Sequence, residues 1–259
     1  MPKIFEIAAA IEEFAPADTA LDYDNSGLNL GNQKAEVSGV LLSLDATPDA
    51  VKAAAAKGCN LLVTHHPHIF KPIKAIDTAS FSGRVLELIL KNNINHYACH
   101  TNLDVAKGGV SWRLAELLGL TEIRRLMPDG MGVVGKISTF LAPLAKKVAQ
   151  VLDDKTVCVV GDGARRVSAA AIVAGAGGGD AEAFKAALDN SDVFITSEIK
   201  HHLAVEADAM GRNLIGFSHY SSEIVALDIL KDIIKSRFGG LRVEIHKGAR
   251  PIKSVYELE

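Results

Sequence analysis

Three short strand-like segments in the first half of the chain, alternating with stretches of helical spacing, constrain the fold more than any other feature. Gly39–Leu44 ends at Asp45, Asn60–Thr64 runs into a histidine pair, and Ile94–Cys99 runs into another histidine. Between the first two, Thr47 is an N-cap with Pro48 at the first helical position, and Gly58 closes that helix. A second helix passes through Val85–Leu90. Upstream, Ile4, Ile7, Ala8, Ile11 and Phe14 recur at helical spacing until Pro16 stops them, and downstream a helix over Val110–Leu118 ends at Gly119. Strand and helix in strict alternation predict a parallel sheet with helices on its faces, because each crossover returns the chain to the same edge.

The pattern breaks at Met127–Gly132, a run of turn residues, which places a lobe boundary there and predicts lobes over 1–128 and 129–259. Strands are expected at Val133–Phe140, Thr156–Val160, Val167–Val173, Val193–Thr196, Asn213–Phe217 and Leu241–Ile245. Helices are expected at Ala181–Leu188 and Lys200–Met210, with a long one at Ser221–Phe238. The fold class is therefore α/β, as two similar three-layer α/β/α lobes.

Charge and composition narrow the function. With 28 Lys and Arg against 31 Asp and Glu, the net charge is −3, which disfavours a general nucleic-acid or anionic-membrane binder. No apolar run approaches the ~20 residues of a membrane span, and the start, Met1-Pro2-Lys3 with acidic residues soon after, lacks a signal-peptide core. Three cysteines without a CxxC pair fit a reducing cytosol, so a cytoplasmic protein is expected.

The histidines carry the strongest functional signal. His65 and His66 follow one predicted strand; His100 follows another, with Asp104 four residues on; His219 follows a third, with Glu223 four residues on. Ligands of open α/β sheets bind beyond the carboxyl ends of the strands. Each piece has an ordinary reading: a loop histidine pair, a turn aspartate, a surface pair at i, i+4. Their joint arrival at one edge favours a metal site. Imidazole mixed with carboxylate suits first-row divalent ions such as Zn, Fe, Mn or Co. Neighbouring His65 and His66 diverge too far to chelate one ion, so each is expected to serve one of two. Glu198, His100 and His201 are candidates for proton transfer. Lys200, His201 and His202 either meet an anionic substrate or form a polar helix start. Gly175–Asp180 resembles a phosphate loop but fails the GxGxxG pattern, and Asp180 reads as an N-cap. His68, His96 and His246 read as structural or rim residues, and Cys59 and Cys99 as small packed side chains.

Five ordered segments carry a family resemblance: Asp22–Leu28, Thr64–Phe70, His100–Asp104, Thr196–His202 and Gly216–Glu223. Together they resemble the Nif-three-like dinuclear metal centre proteins, also called GTP cyclohydrolase 1 type 2 homologs, in their short form. The resemblance implies His65, His66, Asp104, His219 and Glu223 as ligands of two divalent metals, with Glu223 bridging and His100 a close neighbour or auxiliary ligand. It further implies a homohexamer and a small-molecule substrate. The expected activity is metal-dependent hydrolysis of a nucleotide-like or phosphorylated compound, GTP ring opening being the most specific form. A non-catalytic metal-binding assembly or regulatory partner-binding protein is the alternative. Two positions depart from the family pattern: Tyr23 stands in place of tryptophan, and Ser197 in place of glycine.

Overall fold

The computed structural model describes residues 1–257. In chain order the first elements are α1 (Ile4–Phe14), β1 (Gly27–Leu30), β2 (Val40–Ser43), α2 (Pro48–Ala56), β3 (Leu61–Thr64), α3 (Phe81–Lys91) and β4 (Asn95–Ala98). Next come α4 (Thr101–Val105), α5 (Val110–Leu117), β5 (Thr121–Arg125), β6 (Val133–Phe140), α6 (Leu141–Val151), β7 (Cys158–Val160) and β8 (Arg166–Val173). The rest are α7 (Ala181–Asn190), β9 (Val193–Ser197), α8 (His201–Ala209), β10 (Asn213–Phe217), α9 (His219–Glu223), α10 (Ala226–Arg237) and β11 (Val243–His246).

These divide into two compact α/β units. The first holds Met1–Ala106 with Ala226–Ala249; the second holds Lys107–Val225 with the residues from Arg250 on. The division therefore falls about twenty residues before the turn at Met127–Gly132 that suggested a boundary at 128. That turn is the tip of a hairpin: the Leu126 amide donates to the Gly132 carbonyl at 3.0 Å, and β5 and β6 pair antiparallel on either side. A cluster of turn residues marks a hairpin as readily as a linker.

The first unit has a five-stranded sheet in the order β1-β4-β3-β2-β11. Its strands β4, β3 and β2 are parallel, as expected; β11, expected in the second lobe, joins them in parallel beside β2, while β1 runs antiparallel along the edge beside β4. β2, β3 and β4 are buried at every residue, which is why β2 and β3 read as nearly continuous apolar runs rather than alternating ones, although β4, Asn95-His96-Tyr97-Ala98, is mostly polar. Leu41 and Leu62 pack against Ala50, Val51 and Ala54 of α2 and Val85 and Ile89 of α3, while α10 covers β2 and β11 and packs on α1. Each large aliphatic residue so buried contributes about 1.5–3 kcal/mol. The Thr47 hydroxyl caps α2 by accepting from the Ala50 amide at 3.1 Å, as its position before proline predicts.

The second unit has a six-stranded sheet, β5-β6-β8-β9-β10-β7, parallel through β8, β9 and β10. Phe184 and Ala187 of α7 and Leu203 and Ala207 of α8 pack on Phe194 and Leu214. The long helix expected over Ser221–Phe238 is two, α9 and α10, and it breaks where the chain leaves the second unit for the first. Apolar periodicity continues through the break, so sequence pattern alone runs the two together. Among the described residues, no helix is long and apolar enough to cross a membrane.

Candidate metal centre

Parallel strands carry the candidate donors to one edge in each unit. In the first, Ser43 of β2, Thr64 of β3 and Ala98 of β4 lie in register. The residues immediately beyond them are Asp45, the pair His65 and His66, and His100. Four residues past His100, Asp104 lies in the short helix α4. The rings of His65, His66 and His100 stand 5.2 to 5.4 Å apart between centroids. Each offers a ring nitrogen within 4.8 Å of the others, a group that could hold a metal ion.

What orients these rings is as informative as their proximity. The Nδ1–H of fully buried His65 donates to the Cys99 backbone carbonyl at 2.8 Å. His66 donates through Nδ1 to Asp45 at 2.8 Å, and His100 through Nδ1 to Asp24 at 2.7 Å. A ring whose Nδ1 carries the proton presents its lone pair at Nε2, the tautomer in which metal-binding histidines are held by their outer partners. Opposite His65 Nε2, Asp104 Oδ1 stands 3.5 Å away. Two lone-pair atoms facing each other call for a positive charge between them, either a proton or a cation.

Asp24 is the hub of this arrangement. Besides His100, its carboxylate accepts from the Thr101 hydroxyl at 2.6 Å, the Thr101 amide at 3.1 Å and the Ser26 hydroxyl at 2.7 Å. Burial by itself would raise the carboxyl, but the hydrogen bonds from His100, Thr101 and Ser26 outweigh it and hold it well below the usual carboxylate range. Behind His66, the Thr64 hydroxyl donates to the His66 carbonyl at 2.6 Å and so must accept from His96 Nε2 at 2.8 Å. His96 is fully buried, and burial pushes its ring down to about 3, so it is a neutral brace, in keeping with a structural role.

In the second unit, α9 begins directly after β10. Ser218 caps it by accepting from the Ser221 amide at 3.2 Å, and the i, i+4 spacing sets His219 Nε2 2.9 Å from Glu223 Oε2. His219 Nδ1 meets Glu198 at 2.8 Å, the same outer-partner pattern as in the first unit. Glu223 is buried while Glu198 is exposed, its backbone in the left-handed region at φ 55°. Gly175, at φ +65°, lies against Glu223: a Cβ there would run into the carboxylate. Its amide donates to the Ser222 hydroxyl at 2.9 Å and its carbonyl accepts from the Ser197 hydroxyl. Asp180 caps α7 through the Glu182 and Ala183 amides, as expected, and the glycines before it form a 3-10 turn. His201 sits exposed in the first turn of α8.

In each unit imidazole nitrogen stands with carboxylate oxygen, and each imidazole is fixed by an outer acceptor, a donor chemistry that fits first-row divalent metals. A profile of the Duf34/NIF3 (NGG1p interacting factor 3) family matches residues 2–250. The chain belongs to this family. It is 32% identical over 264 residues to the GTP cyclohydrolase 1 type 2 homolog of Streptomyces coelicolor, covering 95% of this chain and 92% of the relative. The protein of that name in Clostridium perfringens is 30% identical over 246 residues, covering 91% and 92%. Among solved structures, a Staphylococcus aureus hypothetical protein superposes with a TM-score of 0.90 at 28% identity, over 98% of this chain and 99% of that one.

Within this Duf34/NIF3 chain both departures from the family pattern have a visible setting. Ser197 spends its hydroxyl on the Gly175 carbonyl, while Tyr23 is exposed with its ring centroid 6.2 Å from that of Phe70. Sequence reasoning did not assign Asp24 or Asp45 a role. Asp45 ends the first apolar run, so its position at the carboxyl edge of a strand was an available signal, whereas Asp24 precedes β1 and carries no such signal.

Proposed function

We propose that His65, His66, Asp104, His219 and Glu223 hold two divalent cations and that the protein is a metal-dependent hydrolase of a small nucleotide-like or phosphorylated substrate. The observation that supports this most is the common setting of the candidate ligand imidazoles: each has Nδ1 hydrogen-bonded to an oxygen, so that Nε2 is the coordinating atom. Bound cations would supply Lewis acidity and an ionisable water near neutral pH.

The chain's own groups do the rest. His100, whose Nδ1 is locked by Asp24, has Nε2 available to accept or return a proton, and the buried carboxylate stabilises the charged ring that results. Glu198 orients His219, and with His201 it is a further candidate for protonating a leaving group. Ring opening of a purine nucleotide is the most specific form of the reading, supported by the name that the relatives carry. The reading includes a cytoplasmic homohexamer, as the family resemblance implies.

The test is a screen of metal-loaded protein against nucleotides, phosphoesters and cyclic amides, with His65→Ala as the blank. Turnover by wild type that disappears in the blank supports hydrolysis. Turnover that survives in the blank, or none with any substrate while metal remains bound, moves the protein to the non-catalytic alternative.

A further inference from the structure

We propose that Tyr23 and Phe70 form the wall on which a planar nitrogen heterocycle stacks as it enters this site. The inference rests on the reading of the metal centre above and adds to it the residues that would select the substrate.

Tyr23 is 61% exposed and Phe70 39% exposed, yet the two rings are neighbours, 6.2 Å between centroids with their planes at 59°. Phe70 in turn stands edge-on to His100 at 6.2 Å and 76°. His100 is 5.3 Å from His65 and 5.4 Å from His66. Ring surface therefore runs without interruption from solvent to the imidazole cluster. Single exposed apolar residues are ordinary; a braced pair at this place is not.

The bracing comes from the same short segment that holds the imidazole. Asn25 donates through its side-chain amide to the Ile69 carbonyl, which ties the Tyr23 segment to the Phe70 segment. Between Tyr23 and Asn25, Asp24 grips His100 and Thr101. At the far side of Phe70's segment, His68 Nε2 donates to the Ser82 carbonyl at 3.0 Å. Aromatic wall and proton-handling imidazole are thus set by one turn of chain, which fixes the ring position against the donors.

Size and chemistry identify the occupant. Two rings exposed to this degree present on the order of 200 Å² of surface, far short of the ~800 Å² per partner of a stable protein interface. With the ring planes 59° apart, a flat bicycle can lie on one ring while the other meets its edge. A planar nitrogen heterocycle stacks on the ring face of tyrosine or phenylalanine, and its ring nitrogens can meet the imidazole and carboxylate groups beyond Phe70. A sugar phosphate has no face to stack, and a plain hydrocarbon would leave those polar groups without use.

The experiment is calorimetric titration of metal-loaded protein with guanosine, with ribose and tripolyphosphate as non-aromatic controls, in wild type, Tyr23→Ala, Phe70→Ala and Tyr23→Trp. Wild type is expected to bind guanosine more tightly than either control. Each alanine variant is expected to weaken guanosine about tenfold with metal content unchanged, and Tyr23→Trp to bind at least as tightly as wild type. Equal guanosine affinity in all four proteins, tripolyphosphate binding in preference to guanosine, or no guanosine binding by wild type would overturn the wall while leaving bound metal in place. Loss of metal in Tyr23→Ala would also overturn it, because the effect would then pass through the ligands. Absence of metal from wild type would instead defeat the underlying reading.

Discussion

The donors of the first unit grow from the ends of two adjacent strands, whereas those of the second share one short helix. His65 is fixed by a backbone carbonyl and is fully buried. His100 is fixed by a carboxylate that is itself locked by three further donors. By contrast His219 depends on Glu198, a side chain 55% exposed and carried on a left-handed backbone position. Rigidity in the first unit is inherited from the sheet. In the second it comes from a glycine wall and a capped helix of one turn. The difference teaches that the same donor chemistry can be pre-organised by burial or by local packing, and the two respond differently to substitution.

The largest effect is expected at the buried end of this contrast. His65→Ala should reduce bound metal by at least half from about two ions per chain, measured by plasma mass spectrometry, since it deletes a ligand nitrogen. Next come the outer partners. Asp24→Asn, which loosens the proton-handling His100, should lower turnover about 10- to 100-fold with bound metal unchanged, while Glu198→Gln, at an exposed site, should weaken metal binding about threefold in competition with a fluorescent chelator. Loss of metal from Asp24→Asn, or no effect of either substitution, would erase the contrast between buried and exposed support.

Legibility in sequence followed the same physics. Fully buried parallel strands announce themselves as apolar runs, so β2, β3, β9 and β10, and the histidines just beyond β3 and β10, could be placed from pattern alone, whereas β4 is equally buried but mostly polar. The edge strands β1 and β5 could not, because they are short and their residues are exposed or only partly buried. Nor could α6, where Leu141, Leu144, Ala145 and Val148 share a buried face but Pro143 in the first turn imitates a break. Asp24 and Asp45 escaped assignment for another reason. Their partners lie 76 and 21 residues away, and only strand register brings them together.

A pH experiment sharpens the comparison from behind the first set. His96 has its ring held down to about 3 by burial against an ordinary 6.5. Between these values the unfolded chain binds the proton and the folded one does not, so stability falls as pH drops below about 6.5. Metal-stripped wild type should lose about 2 kcal/mol more than His96→Gln between pH 7 and pH 5 in urea unfolding. A parallel loss in both would remove His96 as the neutral brace. Behind the second set, Gly175→Ala places a methyl against Glu223 on a left-handed backbone, and should lower stability by about 1–2 kcal/mol in the same assay. It should also weaken metal binding at that half while His65 and His66 keep theirs.

The most direct measurement is an anomalous-difference map from crystals of metal-loaded protein, collected at the absorption edge of the bound element. The account predicts peaks about 2.0–2.2 Å from Nε2 of His65, His66 and His219, with Nδ1 of those rings still directed at the Cys99 carbonyl, Asp45 and Glu198. Peaks at Nδ1, peaks only at exposed histidines such as His201 and His202, or no peaks from fully loaded protein would contradict it.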